Sequence, residues 1–134
     1  MSGSGATVAA RARALVGVRF RAQGRDPRLG LDCAGAAAAA LDVAAAELPA
    51  SYGLRGHRLE ALEVTLGRLG CRAVDSVQAG DVLVCRPARG QLHLLVSTGE
   101  SFVHADARLR RVAERPMPPP WPIVGIWRLS EGEG

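Results

Sequence analysis

Hydrophobic positions along this chain follow a helical period in its first half and a strand period in its second. Residues 6 to 16 mix alanines with Leu15 and Val16 and stop at Gly17, which predicts a helix closed by glycine. Residues 18 to 31, "VRFRAQGRDPRLGL", hold two glycines and a proline and read as a long loop. From Asp32 to about Glu47 an alanine-rich run has the highest helix propensity in the chain, and its small side chains suit a central buried helix. Pro49 and Gly53 break that run. Leu59, Leu62, Leu66 and Leu69 then recur at three- and four-residue steps up to Gly70, the apolar packing face of an amphipathic helix.

Beyond Gly70 the period becomes two. Strands are expected near 81–86 ("DVLVCR"), 91–97 ("QLHLLVS"), 101–105 ("SFVHA"), 109–113 and 123–129 ("IVGIWRL"), separated by Gly and Pro signals. "RPMPPPWP", residues 115 to 122, reads as a stiff extended connector before the last strand. Helices followed by strands predict an α+β domain, with N-terminal helices packed on an antiparallel sheet of five to six strands. A length of 134 residues with 48% apolar side chains fits one domain over residues 1–134, its core at about 10–129 between flexible ends.

Composition narrows the function. All 17 basic residues are arginine, and their excess over 13 acidic residues gives a net charge of +4. The two signs are interspersed, which argues against a nucleic-acid footprint. The first 17 residues carry arginines where a signal peptide needs its apolar stretch, and no window offers the ~18 apolar residues of a membrane span. Synthesis as a cytoplasmic protein is therefore expected. Three cysteines, Cys33, Cys71 and Cys85, form neither a complete disulfide framework nor a zinc-binding pattern, so free thiols and no metal or cofactor are expected.

One cysteine stands apart. Cys33 lies in "GLDCAG" at the first turn of the alanine-rich helix, where unpaired N–H groups and the positive end of the helix dipole lower a thiol's pKa. Asp32 is placed to cap that helix through the backbone N–H of Ala34 or Gly35. Cys71 and Cys85 sit in apolar surroundings and are assigned to packing. A nucleophilic cysteine needs a base, and the chain offers His57, His93 and His104. His57, between Gly56 and Arg58, reads as a solvated loop residue.

His93 and His104 flank "TGE". If Thr98 pairs with Ser101 across a two-residue Gly99-Glu100 turn, opposed residue numbers sum to 199, and the two histidines become diagonal neighbours on one face. His104 is then the group that orients His93, with Asp106 as the fallback. A Cys-His-Asn triad is excluded because the chain contains no asparagine.

These stretches, "GRDPRLGLDCAG", "AGDVLVCRP", "QLHLLVSTGESFVHA" and "IVGIWRL", resemble the NlpC-type cell-wall peptidases, papain-like cysteine hydrolases, and in particular their short phage-associated members. The resemblance runs over most of residues 10 to 129. It implies a papain-like single domain with Cys33 as nucleophile, His93 as base and His104 as orienting residue. Asp32 and Gly35 match the flanking motif.

The implied reaction is cleavage of an amide bond in peptidoglycan stem peptides, often that between D-glutamate and diaminopimelate, by an enzyme carried on a phage tail or phage-derived particle. Many family members have a tyrosine about a dozen residues before the cysteine, where this chain has Phe20, with Gln23 as the substitute that the resemblance offers. Arg108, Arg110, Arg111 and Arg115 are placed either to meet wall carboxylates or to solvate an edge strand. Two other readings keep the constellation: a structural tail-tip module with Cys33 unused, and a thiol acyltransferase in which an amine or lipid replaces water.

Overall fold

The computed structural model describes residues 4–44, 48 and 59–130. Among them, helices α1 (Ser4–Ala14), α2 (Cys33–Leu41) and α3 (Leu59–Arg68) precede most of the strands. A two-stranded ribbon of β1 (Arg25–Asp26) and β2 (Gly30–Leu31) lies between α1 and α2. The main sheet contains β3 (Cys71–Ala73), β4 (Val82–Cys85), β5 (His93–Ser97), β6 (Ser101–Asp106), β7 (Arg111–Pro116) and β8 (Ile123–Leu129). It is antiparallel throughout, in the order β3-β8-β4-β5-β6-β7. This is the expected α+β architecture, with six strands.

Three local expectations are corrected. The alanine run does not stay helical to Glu47: Asp42 turns left-handed at φ 61°, its N–H bonding Ala39, and the Val43 N–H reaches Ala38. Those two bonds are a Schellman closure, which aspartate enters because its short polar side chain tolerates this conformation. Residues 18 to 31 contain the small ribbon, too short for a period to reveal. The three-residue β3 was likewise missed, because it pairs only with β8, far away in sequence.

The period-two alternation sorts side chains into two layers. Val82, Val84, Leu94, Val96, Val103, Ala105 and Val112 face α1 and α2 and form the main core with Val8, Ala12 and the alanines of α2. Ala34, Ala37, Ala38 and Ala40 are essentially inaccessible, so α2 is covered on nearly every side, which only small side chains permit at such close approach. The opposite face carries a second cluster, Leu83, Cys85, Leu95 and Phe102, under Met117, Trp121 and Ile126. The proline-rich connector therefore covers the far face of the sheet and also links two strands. Cys71 and Cys85 are buried in the two clusters, in agreement with their assignment to packing.

Polar anchors fix the frame. Fully buried Asp81 accepts from the Gln78 N–H at 2.7 Å and from Arg128 Nε and Nη2 at 2.8 and 2.9 Å, which ties β8 to the turn before β4. No helix among the described residues is long and apolar enough to cross a membrane.

Candidate active site

Two glycines and a carboxylate set the start of α2. Asp32, 1% exposed, is the N-cap and accepts from the Gly35 N–H at 2.7 Å. Its backbone N–H reaches the Gly24 carbonyl at 3.1 Å. A Cβ added at Gly35 would run into that same carbonyl oxygen, so the glycine of "DCAG" is the condition for the preceding loop to lie on the helix. Arg25 Nε stands 3.6 Å from the Asp32 carboxylate.

Cys33 is the first residue of α2 and is 4% exposed. Its sulfur hydrogen-bonds with the backbone of Leu94, the residue next to His93. The helix start does not make this thiol acidic. Burial pushes its pKa up to about 12, the nearby Asp32 carboxylate adds to the rise, and the Leu94 backbone and Arg25 oppose it only in part. The expectation of a thiolate made by the helix dipole is thus overturned, because the cost of burying an anion exceeds what a helix end returns.

The hairpin register is the one read from "TGE": Val96 faces Val103, Ser97 faces Phe102, and the Thr98 N–H bonds Ser101. Both pairs sum to 199. His93 and His104 consequently share the far face, and His93 Nε2 lies 2.9 Å from His104 Nδ1 with ring centroids 5.1 Å apart. His104 Nε2 lies 3.6 Å from Asp106 Oδ2, so Asp106 stands behind His104 and does not replace it.

A carboxylate only accepts, which favours the proton on His104 Nε2. His104 Nδ1 is then the acceptor for the His93 Nε2–H, and the lone pair of His93 falls on Nδ1. Burial lowers the His93 pKa to about 4, with His104 adding to the effect and Asp106 opposing it. Burial also lowers that of His104, with Asp106 opposing and Arg115 reinforcing.

Trp121 was missed in the sequence. Its ring stands edge-on to His93 at 5.2 Å and tilted against His104 at 5.7 Å, which roofs the histidine pair. The available signal was the single aromatic residue in an otherwise proline-rich connector. Cys33, His93 and His104 line one cavity of about 770 Å³ together with Phe20, Asp32, Gln91, Asp106, Arg108, Arg115 and Trp121.

Gln23 is corrected. Its side chain is exposed and lies outside the cavity lining, and its backbone serves by hydrogen-bonding the Asp32 carboxylate. Arg110 and Arg111 are exposed and also lie outside the lining, whereas Arg108 and Arg115 belong to it. His57 lies outside the described residues. Among the described residues no cluster of His, Cys, Asp or Glu has the makings of a metal site.

No protein-family model matches the chain, and no curated protein matches it. Solved structures do. NlpC1 from Trichomonas vaginalis superimposes with a TM-score of 0.71 at 18% identity, over 96% of this chain and 45% of that one. The peptidoglycan hydrolase RipB from Mycobacterium tuberculosis gives a TM-score of 0.64 at 19% identity, over 96% of this chain and 66% of its own. The NlpC/p60 domain of the peptidoglycan hydrolase SagA gives 0.52 at 23% identity, over 84% of this chain and 88% of that domain. The chain spans less than half the length of the Trichomonas structure. The chain has the papain-like α+β fold of the NlpC/P60 domains.

Proposed function

From the fold shared with NlpC/P60 domains, we propose that this chain is a cysteine endopeptidase that hydrolyses an amide bond in peptidoglycan stem peptides. The bond between D-glutamate and diaminopimelate is the proposed target. The observation that carries this reading is the His93–His104 hydrogen bond at 2.9 Å in the same cavity as Cys33.

In this reading His93 Nδ1 takes the thiol proton as the sulfur attacks the amide carbonyl, which generates thiolate only when substrate is present. The oxyanion forms beside the Cys33 backbone N–H at the helix start. His93 then protonates the leaving amine, and water resolves the acyl-enzyme. His104, backed by Asp106, holds the ring of His93 and its tautomer. Delivery on a phage tail or phage-derived particle belongs to the proposal through the sequence resemblance alone.

Digestion of a purified tetrapeptide stem, followed by mass spectrometry, tests the reading. Cleavage by the unmodified chain and its loss in Cys33→Ala are expected; an intact peptide with the unmodified chain overturns it. The burial of Cys33 gives the second reading, a structural module with an unused thiol, its support, and that reading requires the intact peptide.

Trp121 supplies a finer test. Its ring contributes to the burial that depresses His93, so Trp121→Ala is expected to move the acid limb of kcat/KM upward from about pH 4 toward the ordinary histidine value of 6.5. A roughly tenfold loss of kcat accompanies it as the His93 ring loses its roof. A pH–rate profile in which the limb stays in place shows that the ring does not shield the base.

A further inference from the structure

We propose that Arg115, together with Arg108, forms an anion subsite that binds a free carboxylate of the substrate peptide. The inference rests on the peptidase reading and specifies the chemistry of its substrate.

The β6–β7 register sets Arg115 opposite Phe102 and Ala113 opposite His104, so Arg115 lies on the face that carries the histidine pair. Its guanidinium lies 5.9 Å from the centroids of both the Phe102 and the Trp121 rings. Aromatic faces on two sides hold an arginine fork in place without neutralising it. Both Arg108 and Arg115 line the cavity, and among the described residues neither guanidinium has an ion pair or hydrogen bond.

The nearby carboxylates are engaged elsewhere. Glu114 accepts from Thr98 and Arg13, and Asp106 accepts from the backbone N–H groups of Arg108 and Leu109 while its other oxygen faces His104. Arg115 also acts against the charged form of His104. A cation beside the proton relay opposes the imidazolium that catalysis creates, and an anionic group docked on Arg115 removes that opposition. A stem peptide supplies such groups: the α-carboxylate left free by a γ-linked glutamate, and the carboxylates of diaminopimelate.

The test uses three forms of L-Ala-γ-D-Glu-diaminopimelate: unmodified, amidated on the glutamate α-carboxyl, and amidated on diaminopimelate. A charge-assisted bond predicts that one amidation lowers kcat/KM of the unmodified chain about tenfold or more, chiefly through KM. Which amidation does so identifies the carboxylate that is read. Arg115→Gln is expected to bring the unmodified peptide and that amide within about twofold, and Arg115→Lys to restore part of the preference.

Calorimetric binding of the same peptides to Cys33→Ala chain, with and without Arg115→Gln, reads the subsite without turnover. If the unmodified chain cleaves nothing while this binding prefers the free acid through Arg115, the peptidase reading fails and the subsite stands. Equal binding of all three forms, binding of none, or an Arg115→Gln effect that is the same for acid and amide overturns the subsite.

Discussion

His93→Ala lowers kcat/KM on a stem peptide by about a thousandfold or more, and the double variant Cys33→Ala/His93→Ala is no slower than either single one. Both expectations follow from a nucleophile and base that act as one unit. A buried thiol with a pKa of about 12 yields almost no thiolate at neutral pH, so attack depends on a base that removes its proton during the reaction. Burial holds the His93 pKa at about 4, so at neutral pH the ring is uncharged and its lone pair is free to accept.

The sign of the pH dependence follows from the same two values. Activity is lost as pH falls through about 4, where His93 becomes charged, and a broad plateau extends above it. A resting thiolate–imidazolium pair would place the acid limb at the pKa of the thiol. Stopped assays of the two single variants and the double variant between pH 3.5 and 9 check both points. A His93→Ala loss under tenfold shows that another group takes the proton.

Gly35→Ala is the second large effect, and its sign runs against propensity. Alanine in a helix interior is worth about 1 kcal/mol over glycine. At this position, however, the new Cβ meets the Gly24 carbonyl oxygen, which itself receives the Asp32 N–H. Backbone on backbone cannot yield as a side-chain tip does, so the cost falls at the upper end of the ~1–3 kcal/mol typical of overpacking. A net destabilisation of about 2 kcal/mol is expected, a fall of roughly 5–8 °C in thermal midpoint. Because the displaced loop also holds Asp32, activity falls further than stability at a temperature where the variant is folded. A midpoint equal to or above that of the unmodified chain, by circular dichroism, refutes the contact.

The elements that position the site were legible where local chemistry dictates geometry. Gly99 takes φ +106°, as the first position of a tight two-residue turn requires, and that one turn fixed which face both histidines occupy. Asp32 capped its helix as its side chain predicts. What escaped depends on contacts remote in sequence. The helix-dipole argument for Cys33 is correct as far as it goes, yet burial beneath the sheet decides the sign, and burial has no local signature in "GLDCAG". The roof over the histidines failed to show for the same reason: a proline-rich segment has no period from which the position of Trp121 could be read. Asp42 was hidden by uniformity, because a run of alanines gives no hint of where the helix must stop.

The two-residue turn between β5 and β6 imposes a parity on every descendant of this gene. Lengthening it by a single amino acid would send one imidazole toward the helices while its partner stayed beneath the tryptophan, whereas changes that conserve evenness across the hairpin would spare the couple. The length of one small loop is thereby constrained by two side chains that sit several residues away from it on either strand.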